Sequence, residues 1–155
     1  MTTINQTGNA TDTSGIHLWL VLWKASRTLE AHATRNIAAQ GMGLSDFAVL
    51  EALLHKGPLT VKEIGARVLL TSGSMTAAID RLAEREFVER TEDSEDRRAR
   101  VIRLTPLGRV TIRRAFRTHE QAMEQAIASF AREDRAQLID LLRRLGRSAE
   151  KTPPH

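Results

Sequence analysis

The chain is expected to be mainly α-helical with one small β-hairpin, on three observations. Apolar residues recur at helical spacing over most of its 155 residues. The period changes to two around residues 87–91 and 99–104, and turn-type polar residues separate those two runs. No stretch reaches the roughly 20 apolar residues of a membrane span; the longest, 16–23, contains His17.

The elements follow in order. Ile16, Trp19, Leu20 and Trp23, continued by Leu29, Ala33 and Ile37, predict a long first helix that the glycines of "QGMG" terminate. A second helix is expected from a cap at Ser45, with Phe47, Val49, Leu50, Leu53 and Leu54 inward and Gly57-Pro58 at its end. Thr60 and Glu63 form a capping box that opens a short third helix, its apolar face being Val61, Ile64 and Val68. After a break at "LLTSGS" a fourth helix runs over about 72–85, turning Met75, Ile79 and Leu82 inward. The two strands come next, with Val88, Ile102 and Leu104 facing the core. Thr105-Pro106 reads as cap and first helical residue of a long helix carrying Ile112, Phe116, Met123, Ile127 and Phe130 as one stripe. Leu138, Leu141, Leu142 and Leu145 mark a last helix.

A short helix, a tight break, a second helix and then a hairpin make a winged helix-turn-helix, placed at about 44–105. The outer helices, about 15–40 and 106–148, are too apolar to be satisfied by so small a core. They are expected to form a helical dimerisation region in a two-fold homodimer. The whole is expected as one domain over 15–150, between disordered tails at 1–14 and 151–155.

Composition narrows the chemistry. The N-terminal segment has no charged, apolar and cleavage-site pattern of a secretory signal, so a cytoplasmic location is expected, with no membrane partner. Cys is absent, which removes disulfides, thiolate metal sites and thiol nucleophiles. Net charge is +4, but its placement is uneven. Before residue 58 four cations face four acids, whereas 97–117 holds eight arginines and no acid, directly after Glu89, Glu92, Asp93, Glu95 and Asp96. A solvated helix face would account for some of this; a concentrated basic surface for phosphate accounts for its one-sidedness.

The segment 70–109, "LTSGSMTAAIDRLAEREFVER…DSEDRRARVIRLTPLGR", together with "FAVLEALLHKGPLTVKEIGARV", resembles the recognition helix and wing of the MarR family of bacterial transcription regulators. The resemblance extends over roughly 16–145. It implies a homodimer on a pseudo-palindromic double-stranded DNA operator, usually a repressor released by a small ligand, and no cofactor. One position departs from the family pattern: Glu86 stands where a glycine is usual, after the fourth helix. A glycine there suits a left-handed helix end. Glutamate implies a strained or differently shaped one.

Candidate DNA contacts follow from this frame. Thr71, Ser72, Ser74, Thr76 and Ala77 give the fourth helix a small, polar tip, where free N–H groups and hydroxyls suit a phosphate. Ser72 reads equally as a plain N-cap. Arg81 lies further along the outer face, and Lys62 on the third helix is a further phosphate candidate. At the wing, Arg97 and Arg98 suit a minor groove. The family pattern maps a bracing carboxylate onto Asp96, which would orient Arg98. Arg100 and Arg103 point outward on the second strand, towards flanking phosphates.

The resemblance also implies a ligand pocket between the dimerisation helices and the winged domain. His17, Trp19, Trp23, His32, Met42, Phe47 and His55 are its candidates for a small aromatic or phenolic effector, against the plain alternative of core and interface packing. No metal site is expected, the five histidines being scattered. An enzyme is disfavoured because no nucleophile elbow or phosphate loop is present. A winged-helix module for protein association or architectural DNA binding is the remaining alternative.

Overall fold

The computed structural model describes residues 12–68, 72–92 and 100–152, Ser72 by its backbone alone. The described residues form α1 (Gly15–Ala38), α2 (Leu44–Lys56), β1 (Leu59–Thr60), α3 (Val61–Arg67), α4 (Ser72–Glu84), β2 (Val88–Glu92), β3 (Arg100–Leu104), α5 (Pro106–Ala126) and α6 (Arg132–Glu150). The fold is thus mainly α with a small antiparallel sheet. The expected tails fall largely at 1–11 and 153–155, outside the described residues. Asp12 and Ser14 are placed, however: the Ser14 hydroxyl caps α1 by accepting from the His17 N–H, and hydrogen bonds from Ser14 hold the Asp12 carboxyl below its ordinary range.

Two compact units divide the chain, Met1–Met123 and Glu124–His155. In the first, the core gathers Ile37 from α1, Val49, Leu50 and Leu53 from α2, Ile64 from α3, Ile79 and Leu82 from α4, Ile102 from β3 and Ile112 from α5. At about 25 cal/mol per Å² of apolar surface removed from water, such branched side chains each contribute roughly 1.5–3 kcal/mol. Val88, Ile102 and Leu104 are all buried, as the alternation along the strands requires.

Helix ends account for several departures from expectation. Glycine 43, not Ser45, is the N-cap of α2. Ser45 sits inside the first turn, and its hydroxyl accepts instead from Arg81 of α4 at 3.2 Å. The capping box of α3 is present as expected: the Thr60 hydroxyl accepts from the Glu63 N–H at 3.2 Å, and the Glu63 carboxylate accepts from the Thr60 N–H at 2.8 Å. The strand β1 that this same threonine ends was not expected. It pairs antiparallel with β3, Leu59 opposite Ile102 and Thr60 opposite Val101, giving the order β1-β3-β2.

In the second unit, the apolar stripe expected to continue α5 through Ile127 and Phe130 instead leaves the helix at Ala126. Arg135 donates to the Ile127 and Phe130 carbonyls, each at 2.8 Å, and pairs with Glu124. These bonds satisfy carbonyls that a continuing helix would have used internally. The hydrogen bond from Arg135 holds the Glu124 carboxyl below its ordinary range.

Candidate nucleic-acid interface

The helix-turn-helix is built by close packing of α3 on α4. A Cβ at Gly65 of α3 would come within 2.9 Å of the Met75 side chain of α4. On α4, Met75, Ala78, Ile79 and Leu82 are buried, which leaves Ser74, Thr76 and Ala77 on the exposed side. Small polar residues on that side give the helix a face slim enough to enter a groove. Lys62 is exposed in the first turn of α3. Thr71 lies outside the described residues, and Ser72 is the first residue of α4.

Arg81 is engaged elsewhere than expected. Its guanidinium donates to both Asp46 oxygens, at 2.5 and 3.5 Å, and to Ser45. Asp46 is 5% exposed in the first turn of α2, so the fork neutralises a carboxylate largely removed from water. The hydrogen bond to Asp46 raises the Arg81 pKa above its already high ordinary value. Further along, Arg85 donates to the Gly41 carbonyl at 3.2 Å and lies 4.6 Å over the Phe87 ring. Arg81 and Arg85 therefore fix how α4 sits against α2 and the end of α1. Sequence reasoning missed this because the partners are some 35 to 44 residues distant.

The end of α4 resolves the Glu86 question in favour of strain over a different shape. Glu86 adopts φ 58, the left-handed conformation usual for glycine. The Phe87 N–H donates to the Leu82 carbonyl and the Glu86 N–H to the Ala83 carbonyl, the paired bonds of a Schellman end. From there the chain enters β2. The Thr105 hydroxyl donates to the Glu86 carbonyl at 2.6 Å and accepts from the Gly108 N–H at 2.9 Å, which caps α5 against the same turn.

In the wing, β2 and β3 pair from Val88–Leu104 to Glu92–Arg100. Arg100 and Arg103 are exposed. Arg103 donates to its cross-strand neighbour Glu89 at 2.6 Å, and Arg90 of β2 pairs with Asp80 of α4. Asp96, Arg97 and Arg98 lie outside the described residues.

The seven ligand candidates are not gathered at one place. Met42 and Phe47 are core residues, whereas Trp19 and Trp23 are 58% and 46% exposed on α1 with His17. His32 is exposed beside Arg35. Phe47 and His55 share a neighbour, Phe116 of α5, their rings 6.5 and 4.9 Å from it. His119, not singled out from the sequence, packs its ring edge-on against Phe47 and meets Asn36 of α1 at 3.3 Å. Burial lowers the His119 pKa, partly offset by Glu51. The signal was available: His119 lies one helical turn beyond Phe116 on the apolar stripe. A groove of about 370 Å³ runs between the end of α1 and α5, lined by the candidate Met42 with Gln40, Val110, Thr111 and Arg114. Among the described residues no cluster of His, Asp and Glu is arranged to hold a metal, and no helix is long and apolar enough to cross a membrane.

Known proteins share both sequence and fold with this chain. The MarR family model matches residues 40–99. The HTH-type transcriptional regulator MhqR of Bacillus subtilis is 31% identical over 136 residues, 88% of this chain and 94% of that one. Among solved structures, Bordetella bronchiseptica BpsR, studied for regulation of its DNA binding by 6-hydroxynicotinic acid, superposes with a TM-score of 0.71 at 22% identity, covering 86% of this chain and 94% of that one. The organohalide-sensing regulator RdhR-CbdbA1625 with 2,4-dichlorophenol bound also gives 0.71 at 22% identity, over 94% and 88% of the two chains. With a slim polar helix face beside an arginine-bearing hairpin, and with a relative of this identity along nearly its whole length, the chain belongs to the MarR family of transcriptional regulators.

Proposed function

We propose that the protein is a repressor that binds a pseudo-palindromic operator as a homodimer and leaves it when a small aromatic or phenolic ligand binds. The observation that carries the reading is the exposed face of α4. Ser74, Thr76 and Ala77 offer hydroxyls and a methyl group to base edges and phosphates, backed by a fully packed apolar side. Thr71, Ser72 and Lys62 extend that contact to phosphate. In the wing, Asp96 braces Arg98, which enters a minor groove beside Arg97, while Arg100 and Arg103 flank it; Arg103 exchanges Glu89 for phosphate. Arg81 orients α4 through Asp46.

Two sets of exposed apolar side chains support the homodimer: Ile16, Trp19, Leu20 and Trp23 on α1, and Leu138, Ile139, Leu141 and Leu142 on α6. Faces of this kind mark association surfaces. An aromatic effector is supported by the phenol and hydroxypyridine acid bound or sensed by the two structural neighbours, and by the rings of Phe47 and His55 that meet at Phe116.

A footprint on the DNA next to its own gene tests the reading. A discrete palindrome protected by the protein, and released by phenols or aromatic acids, is expected. Uniform coating would replace this reading with architectural binding. Arg98→Ala should cut operator affinity by about tenfold or more, one good base or groove contact being worth roughly 1–3 kcal/mol. A gel shift in which that variant matches the wild type removes the wing from the mechanism.

A further inference from the structure

The run of arginines does not stop at the wing. Arg109, Arg113, Arg114 and Arg117 continue it along α5, all exposed, and no acid interrupts residues 97–117. At about 100° per residue, Arg109, Arg113 and Arg117 fall within roughly 80° of the helix circumference. Gly108, Ile112 and Ala115 occupy the buried side, and Arg114 is turned towards the groove beside Gln40. Among the described residues none of the three stripe arginines has a carboxylate within ion-pairing distance. Like charges four residues apart repel and weaken a helix, so folding alone gives no reason for three in a row. The face keeps one sign from Arg109 to Arg117 before Glu120 reverses it, whereas alternating signs mark a helix face that is merely solvated.

We infer that Arg109, Arg113 and Arg117 form a cationic track for the phosphate backbone of duplex flanking the operator, so that α5 lengthens the footprint beyond α4 and the wing. The inference rests on the operator-binding reading above. Charge complementarity favours DNA as the occupant: the track spans about 12 Å at 1.5 Å per residue, and duplex DNA offers a negative charge roughly every 1.7 Å of its axis. Continuity favours it too, since a single residue, Thr105, separates α5 from β3 with its exposed Arg100 and Arg103. Protein interfaces bury apolar residues and deplete charge at their centre, and no large apolar side chain lies within this sector of α5.

The test compares a minimal operator duplex with the same operator carrying about one extra helical turn at each end. Affinity is measured over a salt series for the wild type and for the triple variant Arg109→Ala, Arg113→Ala, Arg117→Ala. The wild type should show the steeper salt dependence on the long duplex. The triple variant should bring that slope down by about two to three, at roughly 0.9 per phosphate contact, and lose about tenfold or more in affinity there, while matching the wild type on the short duplex. Identical behaviour of the two proteins on the long duplex overturns the inference, as does an equal loss on both duplexes. A salt-sensitive change of oligomeric state on sedimentation also overturns it, assigning the track to a second copy of the chain. If thermal melting shows the triple alanine variant destabilised, the glutamine series reads the same quantities. Should the wild type protect no operator at all, the operator-binding reading fails first; if it does and the variant equals it, only the track is lost.

Discussion

Glu86 shows what one residue can cost a fold. A side chain in the left-handed region costs about 1–2 kcal/mol, against the roughly 0.5–1 kcal/mol that glycine loses in conformational entropy. Because Glu86 stands at φ 58 with its end-of-helix bonds made, Glu86→Gly should stabilise the protein by up to about 1 kcal/mol. Urea unfolding checks this; a destabilised variant would mean that the glutamate side chain has a compensating contact. His119 sets a second expectation. Its pKa is lowered in the fold, chiefly by burial, so the unfolded chain binds the proton more tightly. The associated stability is present above the ordinary histidine value near 6.5 and declines as pH falls through it towards the depressed folded value. Unfolding free energy measured from pH 7.5 down to 5.5 should fall modestly, and His119→Gln should flatten that slope.

Elements were legible in the sequence where a local rule decides them, and obscure where a distant partner does. The capping box at Thr60, the Thr105-Pro106 start of α5 and the alternation of Val88, Ile102 and Leu104 depend on neighbours a few residues away. By contrast, β1 has two residues and exists only because Leu59 and Thr60 meet Ile102 and Val101, and no periodicity can be read from two residues. Ser45 has a good cap's chemistry, yet Arg81 takes its hydroxyl. The candidate interface was legible in the same measure: the exposed residues of α4 follow from helical spacing, whereas the Asp46 clamp on Arg81 needed the packing of α2 on α4. The junction of β2 and α5 carries its own prediction. A Cβ at Gly108 would stand 1.8 Å from the Phe87 carbonyl oxygen, which is backbone and can move only with the strand. Gly108→Ala should therefore lower stability by about 1–3 kcal/mol or more, with a parallel loss of DNA binding, read by thermal melting and gel shift.

At the scale of the molecule, the exposed tryptophans of α1 offer a test of the proposed homodimer. Trp19→Glu with Trp23→Glu should convert a dimer to monomers in sedimentation equilibrium, since burying an unpaired carboxylate at an apolar contact is strongly disfavoured. An unchanged mass would move the interface away from this face. The middle position of β3 has a consequence in time as well as in space. Flanked by β1 on one side and β2 on the other, β3 points its successive amides alternately at two partners and has no open edge, whereas β2 has a partner on one side alone. Hydrogen exchange should accordingly be slowest at Val101 and Ile102 among the strands and faster in β2. Thr60, through its pairing with β3 and its cap on α3, would make a slow opening of the wing and a slow loosening of the helix-turn-helix the same event.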